Sequence, residues 1–135
     1  MFQLVYSSSS RAQALSKKDL EDILTVSRRN NQRDDITGIL LYRSGSIMQV
    51  LEGEEAAVRN LHAKIQQDSR HTNLTLIYAV PLVEREFPDW WMGFDWAAAG
   101  FASAPEQAGA VPYGYQPVSA GRAGALVKTF ADSTR

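Results

Sequence analysis

The chain opens with alternating apolar positions and then changes to helical spacing. Residues 2–7 alternate between two sides of an extended chain, which predicts a strand. Ser16 has the character of an N-cap, with Asp19 three residues later, and the apolar positions that follow fall at helical intervals. A first helix is therefore predicted from Ser16 to about Asn31, followed by a charged turn over residues 32–35.

Two dense apolar segments follow and predict a hairpin. Residues 36–42 and 47–51 are rich in Ile, Leu and Val, and residues 43–46, with the sequence Arg-Ser-Gly-Ser, are typical of a turn. A second helix is predicted to begin at Glu52, because acidic residues are favoured in the first turn of a helix, and to end at residues 68–71. Its first glutamates are interpreted as a solvated helix start.

The remaining strands complete one domain. Residues 74–83 predict a fourth strand, with Pro81 indicating an edge or a bulge, and residues 90–96 predict a fifth. The order β-α-β-β-α-β-β predicts an α/β fold of the α+β kind, a ferredoxin-like sandwich with two helices on one face of a mixed five-stranded sheet. This domain is predicted to span residues 1–96. Residues 97–135 are predicted to be a C-terminal appendage with a short helix, available for oligomer or partner contact.

Composition narrows the class of protein without naming a function. The net charge is −1 and the pI is about 6.1, so no basic field is available to attract nucleic acid or an acidic membrane. Cysteine is absent, which excludes disulfides and thiolate metal sites. The pattern predicts neither a signal peptide nor an apolar segment of membrane-spanning length. We therefore expect a cytoplasmic protein that binds neither nucleic acid nor membrane.

Polar residues on predicted core faces are the strongest functional signal. Tyr6 shares strand parity with Phe2 and Leu4, and Gln49 shares parity with apolar residues on the third strand. Both are therefore predicted to be buried, where an unpaired phenol or amide costs about 1–3 kcal/mol. The two side chains can satisfy each other as a purely structural pair, so burial alone does not prove a binding site.

The helices add further polar groups around the same region. Ser27, Asn30 and Asn31 lie at the edge of the buried stripe of the first helix, and Lys64 flanks Ile65 on the second. Together they predict a cleft between the helices that suits a flat heteroaromatic ligand with carbonyl and N–H edges. The alternative for the two asparagines is a helix C-cap.

The histidines carry no signal of their own. His62 is interpreted as a helix-surface residue. His71 has no second histidine or carboxylate cluster near it in the sequence, so no metal site is expected.

Five segments, in order and with matching spacing, resemble the BLUF family of flavin-based blue-light sensors, in its short stand-alone form. The resemblance covers residues 2 to 95. The segments are Ser-Arg-Arg-Asn-Asn at 27–31, Ile-Thr-Gly-Ile-Leu-Leu-Tyr at 36–42, Gln-Val-Leu-Glu-Gly at 49–53, Asp-Ser-Arg-His at 68–71 and Arg-Glu-Phe-Pro-Asp-Trp-Trp-Met at 85–92.

The resemblance implies specific roles around a bound flavin. Tyr6 would donate an electron and then a proton to the excited flavin, and Gln49 would bridge the tyrosine hydroxyl and the flavin ring. Asn31 would pair with the carbonyl and imide edge of the ring, with Asn30 assisting nearby. Lys64 would reach the other ring carbonyl.

Other positions follow from the same resemblance. Trp90 and Met92 match the fifth-strand pair that responds to light, and their shared parity predicts that both can point towards Gln49. Arg70 and His71 would lie near the flavin end of the second helix. Further flavin contacts are implied at Ile23, Ser27, Leu40, Ile65 and Asp68.

The sequence also departs from the family pattern. Ile47 and Met48 stand where aromatic residues are common before the glutamine, which predicts a slimmer and less aromatic pocket wall. The tryptophan is doubled, and the second, Trp91, is expected to face the other side of the strand.

The function implied by the resemblance is a photoreceptor without enzymatic activity. The expected cofactor is FAD, with FMN or riboflavin as alternatives, and the expected output passes to an unidentified effector protein, with homo-oligomer formation. A ferredoxin-like enzyme is disfavoured because the sequence has no Gly-rich phosphate loop and no paired acid and base. An RNA-binding sheet of similar topology is disfavoured by the net charge of −1.

Overall fold

The computed structural model describes residues 1–10, 16–68, 71–94, 99 and 121–133. The elements within these ranges are β1 (Phe2–Ser10), α1 (Lys17–Asp34), β2 (Thr37–Arg43), β3 (Ser46–Gly53), α2 (Glu55–Gln66), β4 (His71–Pro81), β5 (Gly93–Phe94) and α3 (Arg122–Ser133).

The strands form one mixed sheet in the order β4-β1-β3-β2-β5. Neighbours from β4 to β2 pair antiparallel, and β5 pairs parallel with β2. β1 and β3 occupy inner positions of the sheet, where both faces are covered, and most of their described side chains are buried, including the polar Gln3 and Glu52. The predicted ferredoxin-like fold with a mixed five-stranded sheet is confirmed.

Two apolar clusters lie on opposite faces of the sheet. The front face is covered by α1 and α2, whose Leu20, Leu24 and Val58 pack with strand residues such as Leu4. The back face carries a second cluster under α3, which includes Val5, Ile39, Leu41, Met48, Val50, Ala123 and Val127. The prediction of two helices on one face therefore holds for α1 and α2, and α3 adds a layer on the opposite face.

The first helix begins as predicted and ends later. Ser16 and Asp19 form a reciprocal capping box, in which each side chain accepts from the backbone N–H of the other. The predicted end near Asn31 is wrong, because the helix continues to Asp34 and is stopped by Asp35 in the left-handed conformation (φ 55°). The polar residues interpreted as a turn extend the exposed face of the helix.

The hairpin between β2 and β3 is confirmed, and its register explains the tight turn. Arg43 pairs with Ser46, which leaves Ser44 and Gly45 as a two-residue turn with positive φ at both positions (51° and 87°).

The prediction that Glu52 begins the second helix is wrong. Glu52 is the penultimate residue of β3 and is fully buried, and α2 begins at Glu55. Its carboxylate accepts hydrogen bonds from Gln3 Nε2 (2.8 Å) and from the backbone N–H groups of Glu86 and Phe87 (2.9 and 2.7 Å). A carboxylate that accepts from three donors can be buried, and Glu52 is buried on the back side of the sheet. The sequence pattern alone had indicated that it is solvated.

The last two strands differ in extent from their predicted ranges. β4 begins earlier, at His71, and ends at Pro81, and β5 is only Gly93–Phe94. Residues 90–92 belong to the connection before β5. Their carbonyl oxygens accept hydrogen bonds from the Gly38 backbone N–H of β2 and from the side chains of Asn31 and Arg28, and not from a neighbouring strand along its length. Residues 95–98 lie outside the described residues, as does most of the predicted appendage, including Phe101, Tyr113 and Tyr115. The division at residue 96 stays a prediction.

Candidate functional site

A cavity of about 260 Å³ lies between α1, α2 and the front face of the sheet. Its walls combine aliphatic side chains with amide, hydroxyl and phenol groups. Ten residues singled out from the sequence line it: Tyr6, Ile23, Ser27, Asn30, Asn31, Leu40, Gln49, Lys64, Ile65 and Asp68. The predicted cleft between the helices is therefore present. Of the two other predicted contacts, Arg70 lies outside the described residues and His71 is the first residue of β4.

Five further residues line the cavity: Leu20, Val26, Tyr42, Ile47 and Leu61. Strand parity could have identified Tyr42, because it lies two residues from Leu40 on β2 and therefore on the same face. Of the two residues before Gln49, only Ile47 lines the cavity, since Met48 packs in the back cluster.

Tyr6 and Gln49 form the polar centre of this cavity. They lie directly opposite each other on β1 and β3, so their side chains leave the sheet on the same face. The Tyr6 hydroxyl donates to Oε1 of Gln49, and both side chains are buried. The parity argument that placed a phenol beside a carboxamide is confirmed as geometry.

Met92 completes the surroundings of Gln49. The Gln49 Nε2 group donates to the Met92 sulfur at 3.3 Å, and Met92 is fully buried in the front cluster. Thioether sulfur is a weak acceptor, so this contact holds the amide loosely compared with an oxygen acceptor.

The prediction that Trp90 also points towards Gln49 is wrong. The Trp90 ring stacks on Phe87, with ring centroids 6.3 Å apart, and packs against the back cluster. Residues 90–92 are not strand, so the period-two rule that gave Trp90 and Met92 a common face does not apply to them. Trp91 is partly exposed, at 37 %.

Two side chains of α1 hold the backbone beside Met92. Asn31 Nδ2 donates to the Trp91 carbonyl oxygen at 2.7 Å, and Arg28 Nε donates to the Met92 carbonyl oxygen at 2.9 Å. Asn31 lies in the last two turns of α1 and is buried. Its side chain contacts the backbone at Trp91 and also lines the cavity. Arg28 was not identified from the sequence, because a helical arginine next to another arginine gives no sign of a buried carbonyl partner.

The electrostatic surroundings keep the Tyr6 phenol neutral. Burial, and secondarily the nearby Asp68 carboxylate, raise the pKa of Tyr6 above its ordinary value. The phenol therefore keeps its proton, which is directed at Gln49.

The imidazole ring of His62 packs beside the phenol ring of Tyr6. The ring centroids are 5.7 Å apart with an interplanar angle of 46°. The interpretation of His62 as a surface residue is wrong, because its side chain is only partly exposed and its Nε2 atom is buried. Burial, followed by the charge of Arg59, lowers the pKa of His62.

The described residues contain neither a metal-binding cluster nor a membrane-spanning helix. No group of three or more His, Cys, Asp or Glu side chains is arranged to hold a metal ion there. None of the described helices is both long enough and apolar enough to span a bilayer.

Residues 1–93 match the family described as "BLUF: Sensors of blue-light using FAD". The chain belongs to the BLUF family. Among curated BLUF relatives, photoactivated adenylate cyclase subunit beta of Euglena gracilis is 41% identical over 83 residues, which is 62% of this chain and 10% of that protein. The chain thus spans about a tenth of the length of this relative.

Solved BLUF structures share the fold at higher coverage. The dark-state structure of BlrB, a BLUF protein, has a TM-score of 0.65 at 36% identity and covers 69% of this chain and 70% of that one. The photo-activated state of BlsA has a TM-score of 0.66 at 35% identity, covering 69% and 67% of the two chains. The fold and the class of this protein, a blue-light sensor domain that uses flavin, are thereby shown.

The residues around the cavity fit a flavin ring. Ile23, Leu40 and Ile65 offer apolar surface to the flat faces of a ring. Asn30, Asn31 and Gln49 offer amide donors and acceptors. A flavin ring requires this combination, because its edges are polar and its faces are apolar. Lys64 is exposed and also lines the cavity, so the cavity reaches solvent beside the second half of α2.

Proposed function

We propose that this chain is a blue-light photoreceptor in which Tyr6 and Gln49 are the light-reactive pair. The observation that carries the proposal is the hydrogen bond from the buried Tyr6 hydroxyl to Gln49 Oε1 in the wall of a flavin-compatible cavity. The Tyr6 hydroxyl satisfies the Gln49 oxygen, whereas the Gln49 amide nitrogen has, among the described residues, only the weak Met92 sulfur as its acceptor. Their placement in a cavity wall supports a reactive role beyond a structural one.

FAD is the proposed cofactor, held mainly by α1 and α2. Asn31 and Asn30 would pair with the polar edge of the ring, and Lys64 would reach the opposite carbonyl. Ile23, Ser27, Leu40 and Ile65 would contact its faces and sides. Asp68, together with Arg70 and His71, is proposed to act at the end of α2, towards the rest of the cofactor.

The bound flavin supplies blue-light absorption and, in its excited state, a strong oxidant. Tyr6 holds its proton on Oη, because burial and Asp68 disfavour the phenolate. That proton is directed at Gln49 Oε1, so any loss of an electron from the phenol is coupled to movement of this proton along the hydrogen bond. Both side chains are buried, since Tyr6 is 3% and Gln49 7% exposed.

Gln49 is the proposed switch, because a carboxamide carries a donor and an acceptor on the same carbon. In the structure its oxygen faces Tyr6 and its nitrogen faces the Met92 sulfur. Reversal of the amide, or a change of tautomer, exchanges these partners and offers a donor to the flavin carbonyl, which reddens absorption. One hydrogen bond is worth about 0.5–1.5 kcal/mol net, so the switched form is expected to revert thermally.

The output is proposed to pass to an effector protein or through a homo-oligomer in the cytoplasm. The curated relatives include proteins named as photoactivated adenylate cyclase subunits and as a blue light- and temperature-regulated antirepressor of Escherichia coli. These names support a sensor that controls a separate activity. We propose that the part of the chain matched to BLUF has no catalytic activity of its own.

An absorption spectrum before and after blue light tests this function. The purified protein is expected to be yellow, with a flavin band that shifts to the red and recovers in the dark. Tyr6→Phe and Gln49→Leu are each expected to retain flavin and lose the shift. A persisting shift in either variant would remove the role assigned to that residue.

The chain offers a matched control on the back face. Tyr78 is also a buried phenol that donates to a carboxamide oxygen, that of Gln3. Tyr78→Phe is expected to keep the red shift, because this pair faces away from the cavity. Chromatography of the cofactor released on denaturation distinguishes FAD from FMN and riboflavin.

A further inference from the structure

His62 packs beside Tyr6 and carries a buried ring nitrogen that has no hydrogen-bond partner among the described residues. Its ring packs 5.7 Å from the Tyr6 ring, centroid to centroid, and within the described part of the chain its Nε2 atom has no hydrogen bond. A buried polar atom without a hydrogen-bond partner destabilises the folded state. Phenylalanine or leucine would fill the same space without an unpaired polar atom. Packing alone therefore does not explain a histidine at this position.

Charged and titratable groups surround His62 and connect its charge to that of its neighbours. Arg59, one turn earlier on α2, is the cation that acts on it, although Arg59 also pairs with Glu55 at 2.8 Å. From β1 the neighbouring titratable group is the Tyr6 phenol, and from the end of α2 Asp68 acts on that phenol. β3 presents the neutral Gln49 on this face, because the Glu52 carboxylate bonds to groups on the back side.

We propose that His62 is a positioning residue that makes the light reaction of Tyr6 sensitive to pH. The neutral imidazole permits the reaction, and the imidazolium suppresses it. This inference rests on the proposed function, because it assigns His62 a role in the reaction of the Tyr6 and Gln49 pair.

The physical reason lies in the charge that develops on Tyr6. In the light reaction one electron leaves the phenol for the excited flavin, the O–H bond of Tyr6 breaks, and the proton bonds to Oε1 of Gln49. The ring becomes electron-poor as the electron leaves. A positive charge at 5.7 Å opposes that change, because His62 is only partly exposed and its Nε2 atom is buried, which reduces screening by water.

The direction of the pH dependence follows from the surroundings of His62. Burial and Arg59 lower its pKa from the ordinary value, so the imidazole is neutral near pH 7 and becomes charged only on acidification. The quantum yield of the red shift is therefore expected to be constant above neutrality and to fall in acid.

The test measures the quantum yield of the red shift between about pH 8 and pH 5. In the native sequence the yield is expected to fall roughly three- to tenfold across this range. His62→Phe keeps a ring beside Tyr6 but cannot titrate, so its yield is expected to be independent of pH. Arg59→Gln removes the cation that lowers the pKa of His62, so the midpoint of the yield curve should move to higher pH.

An independent readout uses the flavin-free protein. The chain has two histidines, and the NMR signals lost in His62→Phe identify those of residue 62. The pKa that they report should coincide with the midpoint of the yield curve and move with it in Arg59→Gln. If His62→Phe does not fold, the signals that remain in His71→Gln identify those of residue 62, and the Arg59→Gln pair of measurements decides.

Two kinds of failure are distinguishable. A red shift whose yield is flat with pH, or whose midpoint differs from the NMR titration of His62, overturns this inference and leaves the proposed function intact. The absence of any red shift, at any pH, rejects the proposed function and this inference together.

Discussion

Two phenol–carboxamide pairs with nearly the same chemistry occupy opposite faces of one sheet. Tyr6 donates to Gln49 on the front, and Tyr78 donates to Gln3 on the back. Both members of the front pair line the cavity between α1, α2 and the sheet, whereas Gln3 of the back pair lines no pocket in the described part of the chain, and the front amide has a weak thioether contact as its second partner. The back amide is held by two carboxylates, so its orientation is fixed. The amide proposed to be reactive and the structural amide thus differ in their partners more than in their burial.

The back pair gives a pH prediction at the residue scale. Burial, followed by the charge of Glu86, raises the pKa of Tyr78 to about 12. Because the folded state favours the neutral phenol, its contribution to stability is complete below the ordinary pKa of about 10 and is lost as the pH rises towards 12. Urea unfolding from pH 9 to 12 should therefore show a smaller loss of stability in Tyr78→Phe than in the native sequence. Equal losses would contradict the assignment.

Asn31 carries a second prediction at this scale. Asn31→Ala removes the donor to the Trp91 carbonyl oxygen and a polar group from the cavity wall. We expect the free energy of unfolding of the flavin-free protein to fall by about 1–3 kcal/mol, and flavin occupancy to fall as well. Gln32→Ala, at an exposed position on the same helix, is the control and should change neither quantity. Full flavin occupancy in Asn31→Ala would reject its binding role.

At the scale of elements, a single carboxylate connects the β4–β5 connection to α3. Glu86 accepts from the backbone N–H groups of Ala123 and Gly124 at 3.1 and 3.2 Å, in the first turn of the helix. It also accepts from Gln3 Nε2 at 2.7 Å. The approach is so close that a Cβ at Gly121 would lie 1.8 Å from Glu86 Oε1. Glu86 therefore acts as an N-terminal cap supplied from another element.

Loss of this charge should loosen α3. Glu86→Gln is expected to lower the free energy of unfolding by about 0.5–2 kcal/mol and to speed hydrogen exchange at the Ala123 and Gly124 amides. Glu84→Gln on the same connection is the control, since Glu84 is exposed. If the two variants behave alike in unfolding and exchange, the cap contributes nothing measurable.

The elements also show what a sequence pattern contains. Strand parity was sufficient to place Tyr6 opposite Gln49, because both lie in regular strands where the period of two holds. It failed for Trp90, because a two-residue β5 leaves that position outside any strand. The interpretation of Glu52 as a solvated helix start failed for another reason, because its burial depends on donors from Gln3 and from residues 86–87, which are distant in the sequence. Contacts of this kind arise only from the assembled fold.

His62 illustrates the same limit at the site. Helical spacing places it beside the apolar stripe of α2, where a surface position and a partly buried one look alike. Its contact with Tyr6 depends on how closely α2 packs on β1, which periodicity does not specify. The residues that line the cavity were largely accessible to prediction, whereas the groups behind them were not.

For the whole molecule, the sheet separates a ligand-binding face from a face covered by α3. The cavity lies entirely on the front, and the back cluster is closed by Ala123 and Val127, which are 0% and 1% exposed. Residues 86–92 connect the two faces, since Glu86 caps α3 and Met92 contacts Gln49. The covering of the back face should consequently be separable from flavin binding.

Val127→Asp tests this separation. A carboxylate at this position, which is 1% exposed, would be surrounded by the apolar side chains of the back cluster, and burial of an unpaired charge costs several kcal/mol, so α3 is expected to leave the sheet. The exposed back face should then bind a hydrophobic dye and promote association in gel filtration, while the front cavity still binds flavin. Lys128→Asp, which changes an exposed neighbour on α3, should leave dye binding and elution unchanged. Deletion of residues 97–135 should resemble Val127→Asp. Loss of flavin in parallel with dye binding would show instead that the two faces fold as one inseparable unit.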